Sequence, residues 1–206
     1  MPSGNNETLT EEPRDARRSR GRRKLLAVLA VCAAPVIASY LTYYLVKPSG
    51  RTNYGTLIDP QRDLTGLQGT ELDGGRFELS SLKGRWVLLT VDSGSCEKAC
   101  QDKLYAIRQV RLTTGKDRER VERVLLLTDS GVPADPVLEG HEGLKVARIL
   151  PEAGKRFFPL PAGSPLSGHI YIVDPLGNLM MRFPMNADPN RMKKDLAKLL
   201  RASRVG

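Results

Sequence analysis

Histidine is nearly absent from this chain of 206 residues, which carries only two, and aromatic residues make up 5% of it. Metal ligation by imidazole is therefore confined to His141 and His169. The net charge of +9 has no stripe of basic residues interleaved with aromatics, the footprint that nucleic-acid recognition leaves. Seven basic and four acidic residues fall between Met1 and Lys24, and the rest of the excess is spread thinly among acids. Nucleic acid is thus excluded as the expected partner. No internal repeat is visible, which excludes a solenoid or propeller.

Charge is also missing, completely, from Leu25 to Val46. At 1.5 Å per residue such a run spans a hydrocarbon core of about 30 Å. Pro35 lies in its middle, which membrane helices tolerate, and Tyr40, Tyr43 and Tyr44 gather where an aromatic belt would lie. The run is longer than a signal-peptide core and lacks a small-x-small cleavage site, so an anchor is expected. Arg17, Arg18, Arg20, Arg22, Arg23 and Lys24 precede it, whereas Lys47 and Arg51 follow. The positive-inside bias puts the N-terminus in the cytoplasm and the rest of the chain across the membrane. The expected divisions are a cytoplasmic basic tail over 1–24, disordered as far as Arg20; a transmembrane helix over 25–46; a linker over 47–66; and a domain over 67–206.

Within that domain, Thr70 to Leu79 reads as two short strands around Gly74-Gly75. Trp86 to Val91 is a continuous β-favouring run, as in a strand buried on both faces. A helix is expected from Cys96 to Leu112 with Ser95 as its N-cap. Strands follow over Val121–Thr128, Lys145–Leu150, Ile170–Val173 and Leu179–Phe183. Asp188-Pro189 opens a last helix with an apolar stripe of Met192, Leu196, Leu199 and Leu200. Strand, helix and parallel strand make the crossover unit of an α/β fold. The closing hairpin and helix fit a thioredoxin-like domain.

Of three cysteines, Cys32 sits in the apolar run as a small hydrophobe. Cys96 and Cys100 stand at the strand-to-helix corner, and spacing i, i+4 places both on one helix face with Cα atoms about 6 Å apart. A helix N-terminus stabilises a thiolate. Three states stay open: a static disulfide, a redox pair or part of a metal site. His169, before a strand whose start lies beside the cysteine corner in such a domain, is a candidate third metal ligand. His141, in a glycine-rich loop, reads as a surface residue.

Several stretches carry a family resemblance: Phe77 to Leu89, Cys96-x-x-x-Cys100, Tyr171 to Asn178 and Asp188 to Met192. Over residues 64–203 the chain resembles the Sco/SenC family of membrane-anchored, thioredoxin-like cytochrome oxidase assembly proteins. The resemblance implies copper as cargo or cofactor. It implies a respiratory cytochrome oxidase subunit with a copper site as partner, beside the membrane bilayer. It also implies a bacterial inner-membrane location with a periplasmic domain. On this reading Cys96 and Cys100 act by copper delivery or thiol reduction, with His169 as metal ligand. The alternatives are a general thiol-disulfide oxidoreductase of the TlpA or ResA type, or a non-catalytic assembly module. The chain departs from the family at defined points. Glu97 and Gln101 stand where prolines follow the family's cysteines, Leu166 stands where its ligand histidine falls, and Gly168 occupies the cis-proline position of the TlpA and ResA proteins.

Overall fold

The structure, a computed structural model, describes residues 14–45, 53–184 and 186–203 of the chain. It divides into two compact units, one up to Arg51 and one from Thr52 onward.

The first unit is a single helix, α1 (Arg14–Leu45), with Pro35 inside it. Its stretch Arg22–Tyr44 is long and apolar enough to cross a membrane. Leu25, Leu29, Val36 and Tyr43 are exposed, as side chains facing lipid would be. Thr42 donates its hydroxyl to the Ala38 carbonyl at 2.8 Å, so this polar group is satisfied within the helix. Disorder as far as Arg20 does not hold for residues 14–20, which are helical; residues 1–13 lie outside the described residues.

The second unit is built on one eight-stranded sheet. Its strands are β1 (Thr56–Asp63), β2 (Gln68–Glu71), β3 (Arg76–Glu78), β4 (Trp86–Asp92), β5 (Val121–Leu127), β6 (Leu144–Arg148), β7 (Ile170–Val173) and β8 (Asn178–Phe183). In space they run β1-β8-β7-β4-β5-β6-β2-β3. The strand pairs β4–β5 and β5–β6 are parallel, and β7 joins β4 antiparallel. The helices are α2 (Lys98–Leu112), α3 (Asp135–Glu139), α4 (Pro151–Phe157) and α5 (Pro189–Ala202).

Strand β4 is buried along its whole length, which explains why its sequence is apolar without alternation. Its even-numbered apolar residues Trp86 and Leu88 face a core shared with Leu104 and Ile107 of α2 and Leu196 of α5. Its odd-numbered Val87, Leu89 and Val91 face a second core with Phe77, Phe158 and Tyr171. Each fully buried aliphatic side chain contributes about 1.5–3 kcal/mol.

Two expectations need correction. The segment 47–66 is not wholly a linker: β1 lies inside it, paired with β8, while 46–52 lie outside the described residues. Its polar residues and Pro60 hide it, but a proline is admissible on an edge strand. The helix expected from Cys96 starts at Lys98 with Glu97 as its N-cap residue, so Ser95 caps nothing; its hydroxyl bonds that of Ser93 at 2.8 Å. By contrast Asp188 caps α5 as expected, its carboxylate accepting from Asn190 N at 2.8 Å.

Candidate functional site

The loop between β4 and α2 carries the cysteines, and its shape follows from glycine and aspartate. Gly94 approaches the backbone of Gly131 so closely that a Cβ there would lie 2.1 Å from the Gly131 carbonyl carbon. Asp129 Oδ1 fastens the two segments, accepting from Gly94 N at 2.8 Å and from Gly131 N at 3.0 Å. Only glycine permits this approach.

Cys96 and Cys100 are joined as a disulfide with Cα atoms 5.0 Å apart. Cys96 lies ahead of the helix rather than on it, at φ 37°, a left-handed conformation that non-glycine residues adopt at a cost. Gln101 Nε2 donates to the Cys96 carbonyl at 3.0 Å and supports that geometry. Cys100 occupies the first turn of α2. Both side chains are buried.

A cavity of about 370 Å³ opens beside Cys100, lined also by Asp92, Ser95, Glu97, Leu166 and Ser167. Burial pushes the Asp92 carboxyl up from its ordinary value, and the Lys103 ammonium opposes this. Lys103 Nζ lies 2.8 Å from each Asp92 oxygen and also donates to the Ser167 carbonyl. This ion pair was not read from the sequence. The signal was present: Asp92 ends a fully apolar strand just before the cysteine loop.

His169 does not join the cysteines. Side chains alternate along β7: Ile170 and Ile172 face the core that holds Cys96 and Cys100, whereas Tyr171 and Val173 face the other. His169 is extended, at φ −133°, and its ring lies 6.1 Å from that of Tyr171. Its Nδ1 donates to the Phe183 carbonyl at 3.0 Å, and its buried Nε2 has no partner. Among the described residues, no three His, Cys, Asp or Glu gather as a metal site. The position that the resemblance assigns to a ligand histidine is filled by Leu166, which lines the cavity and offers no donor. Of the expected ligand set, the structure joins Cys96 and Cys100 as a disulfide and bonds His169 to the Phe183 carbonyl. His141 is half-buried rather than a plain surface residue, and its Nδ1 is buried without a partner.

An apolar helix of membrane-spanning length and a separate mixed α/β domain with a cysteine corner define the class: a thioredoxin-like domain with a single-pass membrane helix. The chain belongs to the transmembrane-like, thioredoxin-like family, whose model "Transmembrane-like, thioredoxin-like, C-terminal domain" matches residues 86–203. The companion model, "Transmembrane-like, N-terminal domain", matches residues 15–46. No curated protein sequence gave a significant match.

Among solved structures, the fold is similar to apo Sco1 from Thermus thermophilus (TM-score 0.57, 18% identity), covering 73% of this chain and 99% of that one. It is similar to yeast Sco1 with copper bound (TM-score 0.52, 15% identity), covering 73% and 90%. BsSco, a Sco-family cytochrome c oxidase assembly protein in which a disulfide switch was identified, is also similar (TM-score 0.50, 16% identity, covering 69% and 96%). The resemblance to the Sco/SenC family thus holds at the level of the fold.

Proposed function

We propose that this chain is a Sco-like accessory factor for respiratory cytochrome oxidase assembly that works by thiol-disulfide exchange at Cys96 and Cys100. The observation that carries the proposal is the disulfide beside a polar cavity that holds Leu166 where a copper ligand would be needed. A strained residue at such a corner is a mark of function rather than packing, and Cys96 is one of two non-glycine residues at positive φ among the described residues. The charge bias around α1 supports a bacterial inner-membrane protein with a cytoplasmic N-terminus and a periplasmic domain.

In the reduced form, Cys100 is the attacking thiol because it lines the cavity. Asp92, held neutral more readily by burial, exchanges the proton, and the N-terminus of α2 favours the thiolate. The Cys100 thiolate attacks a disulfide sulfur on the target, forming a mixed disulfide and releasing one target thiolate. Cys96 then attacks the Cys100 sulfur, restoring the Cys96–Cys100 bond and releasing the second target thiol. Two electrons and two protons pass to the target, and a thiol reductant resets the pair. The target class proposed is the cysteine pair of an oxidase copper site.

Full-length chain in detergent, equilibrated across a series of dithiothreitol ratios, tests the chemistry. The expected result is reversible two-thiol cycling with unchanged circular dichroism. Reduction only on unfolding would make the disulfide structural and the domain a non-catalytic module. A tight stoichiometric Cu(I) complex of the reduced chain, lost in Cys96→Ala, would move the reading to copper delivery. In the host, Cys100→Ser should lower oxidase assembly; normal oxidase with impaired thiol reduction elsewhere would favour a general oxidoreductase.

A further inference from the structure

Far along α2 from the disulfide, a second cavity of about 500 Å³ is lined by Arg108, Arg111, Arg118, Arg123, Glu139 and Glu142. Arg123 comes from β5 and is 3% exposed; it follows Glu122, which pairs with Arg85, and is the buried charge of a strand whose other residues are apolar. Its Nη2 donates to the Glu142 carbonyl, while its Nε and Nη1 are buried and have no partner. A buried guanidinium with two idle donors is costly, because water has been removed and nothing replaces it. Burial, then the charges of Arg111 and Arg108, hold the Arg123 pKa below its ordinary value, opposed by the smaller pull of Glu122. Glu139 and Glu142 are exposed, and among the described residues no ion pair joins them to these four arginines. Four guanidiniums against two solvent-screened carboxylates leave the cavity positive.

We infer that this cavity is a binding site for a phosphate group, with Arg123 as its buried anchor and Arg108, Arg111 and Arg118 as its rim. A planar guanidinium presents paired N–H donors that match two oxygens of a phosphate; in Arg123 the end-on pair is Nη1, which has no partner, with the second N–H of Nη2, whose first goes to the Glu142 carbonyl. Arg111 is already oriented, since its Nε donates to the Val121 carbonyl at 2.6 Å and leaves its terminal nitrogens free to face the cavity. The phosphate can be soluble or the headgroup of an anionic phospholipid; the chemistry of recognition is the same.

The test is isothermal titration of inorganic phosphate into full-length chain in dodecyl maltoside at constant chloride. Saturable binding is expected, weakened at least ~10-fold in the Arg108→Gln/Arg118→Gln variant, whose changed residues are exposed and outside the core. No saturable binding, or equal affinity in wild type and variant, would overturn the site. Repeating the titration in nanodiscs identifies the source. Weaker binding of added phosphate in phosphatidylglycerol discs than in phosphatidylcholine discs assigns the site to a lipid headgroup. Equal binding in the two assigns it to a soluble phosphate.

Discussion

Two cavities lie against the same helix and treat buried polarity in opposite ways. At the start of α2 the Asp92 carboxylate meets Lys103 at 2.8 Å and the two sulfurs are bonded to each other. Along its C-terminal half, Arg123 keeps two buried N–H groups with no partner. In the first cavity the buried carboxylate has a countercharge, and the bonded sulfurs need a reductant to change. The second is incomplete until something negative enters. A fold tolerates unmet charge only where the rest of the core is strong, and the rigid element common to both sites is α2.

Breaking that element should have the largest effect. Leu104 and Ile107 are fully buried between the two cavities. Leu104→Ala removes packing and leaves a void, at a cost of about 2–5 kcal/mol. Urea unfolding of full-length chain should show it, and both phosphate binding and thiol cycling should weaken together. If only one site suffered, α2 would not be their shared support.

Reducing the disulfide should come next. The bond closes a short loop, so chain entropy assigns it about 2 kcal/mol. Urea midpoints with and without dithiothreitol measure this, and Cys96→Ala/Cys100→Ala should match the reduced chain. Release of the left-handed Cys96 would offset part of the loss, so a smaller drop than this would show that the oxidised corner stores strain.

The third effect has the opposite sign, and this is what separates the cavities. Arg123→Met replaces a buried charge lacking partners by an apolar side chain of similar length. In phosphate-free buffer it should raise stability by about 1–3 kcal/mol. The stabilisation that phosphate gives the wild type should vanish in the same variant. A destabilised Arg123→Met would mean that the single bond to the Glu142 carbonyl outweighs the burial of the charge.

These contrasts were unevenly legible in the amino-acid order. Trp86 to Val91 announced a doubly buried strand because no polar residue interrupts it, and Asp188-Pro189 announced a helix start because cap and first turn have strong chemical preferences. The cysteine corner was legible as a place but not as a shape. Nothing in Ser93-Gly94-Ser95-Cys96 announces that Cys96, rather than glycine, takes the positive φ, so the helix was expected two residues early. His169 could have been placed from sequence, since it shares parity with Tyr171 and not with Ile170 or Ile172. Strand β1 was hidden because an exposed edge strand needs no apolar pattern. Arg123 was hidden because the adjacent charges Glu122 and Arg123 do not say in sequence which of them is buried or what surrounds it.

The smallest effect concerns His169, whose ring is buried with one bond, from Nδ1 to the Phe183 carbonyl. Its pKa is lowered from 6.5, first by burial and then by the charges of Arg182 and Lys103, against the opposing bond to the Phe183 carbonyl. Nδ1 already donates in the neutral ring, so a second proton would sit on buried Nε2 with no acceptor. The folded chain therefore binds fewer protons than the unfolded chain, and stability rises with pH in this window. It is fully present above the unfolded value of 6.5 and is lost as pH falls through the lowered folded value. His141, lowered by burial and by Arg123 and Arg108, acts in the same direction. Asp92 acts oppositely: its raised pKa favours the folded state at low pH and loses that contribution as pH rises through the folded value. Urea midpoints at about pH 7.5, 6.5 and 5.5 should fall in that order. His169→Gln, which can still donate to the Phe183 carbonyl, should fall less steeply than wild type. If the two slopes coincide, the ring is not held neutral by its surroundings, and its separation from the cysteine face would have to be reconsidered.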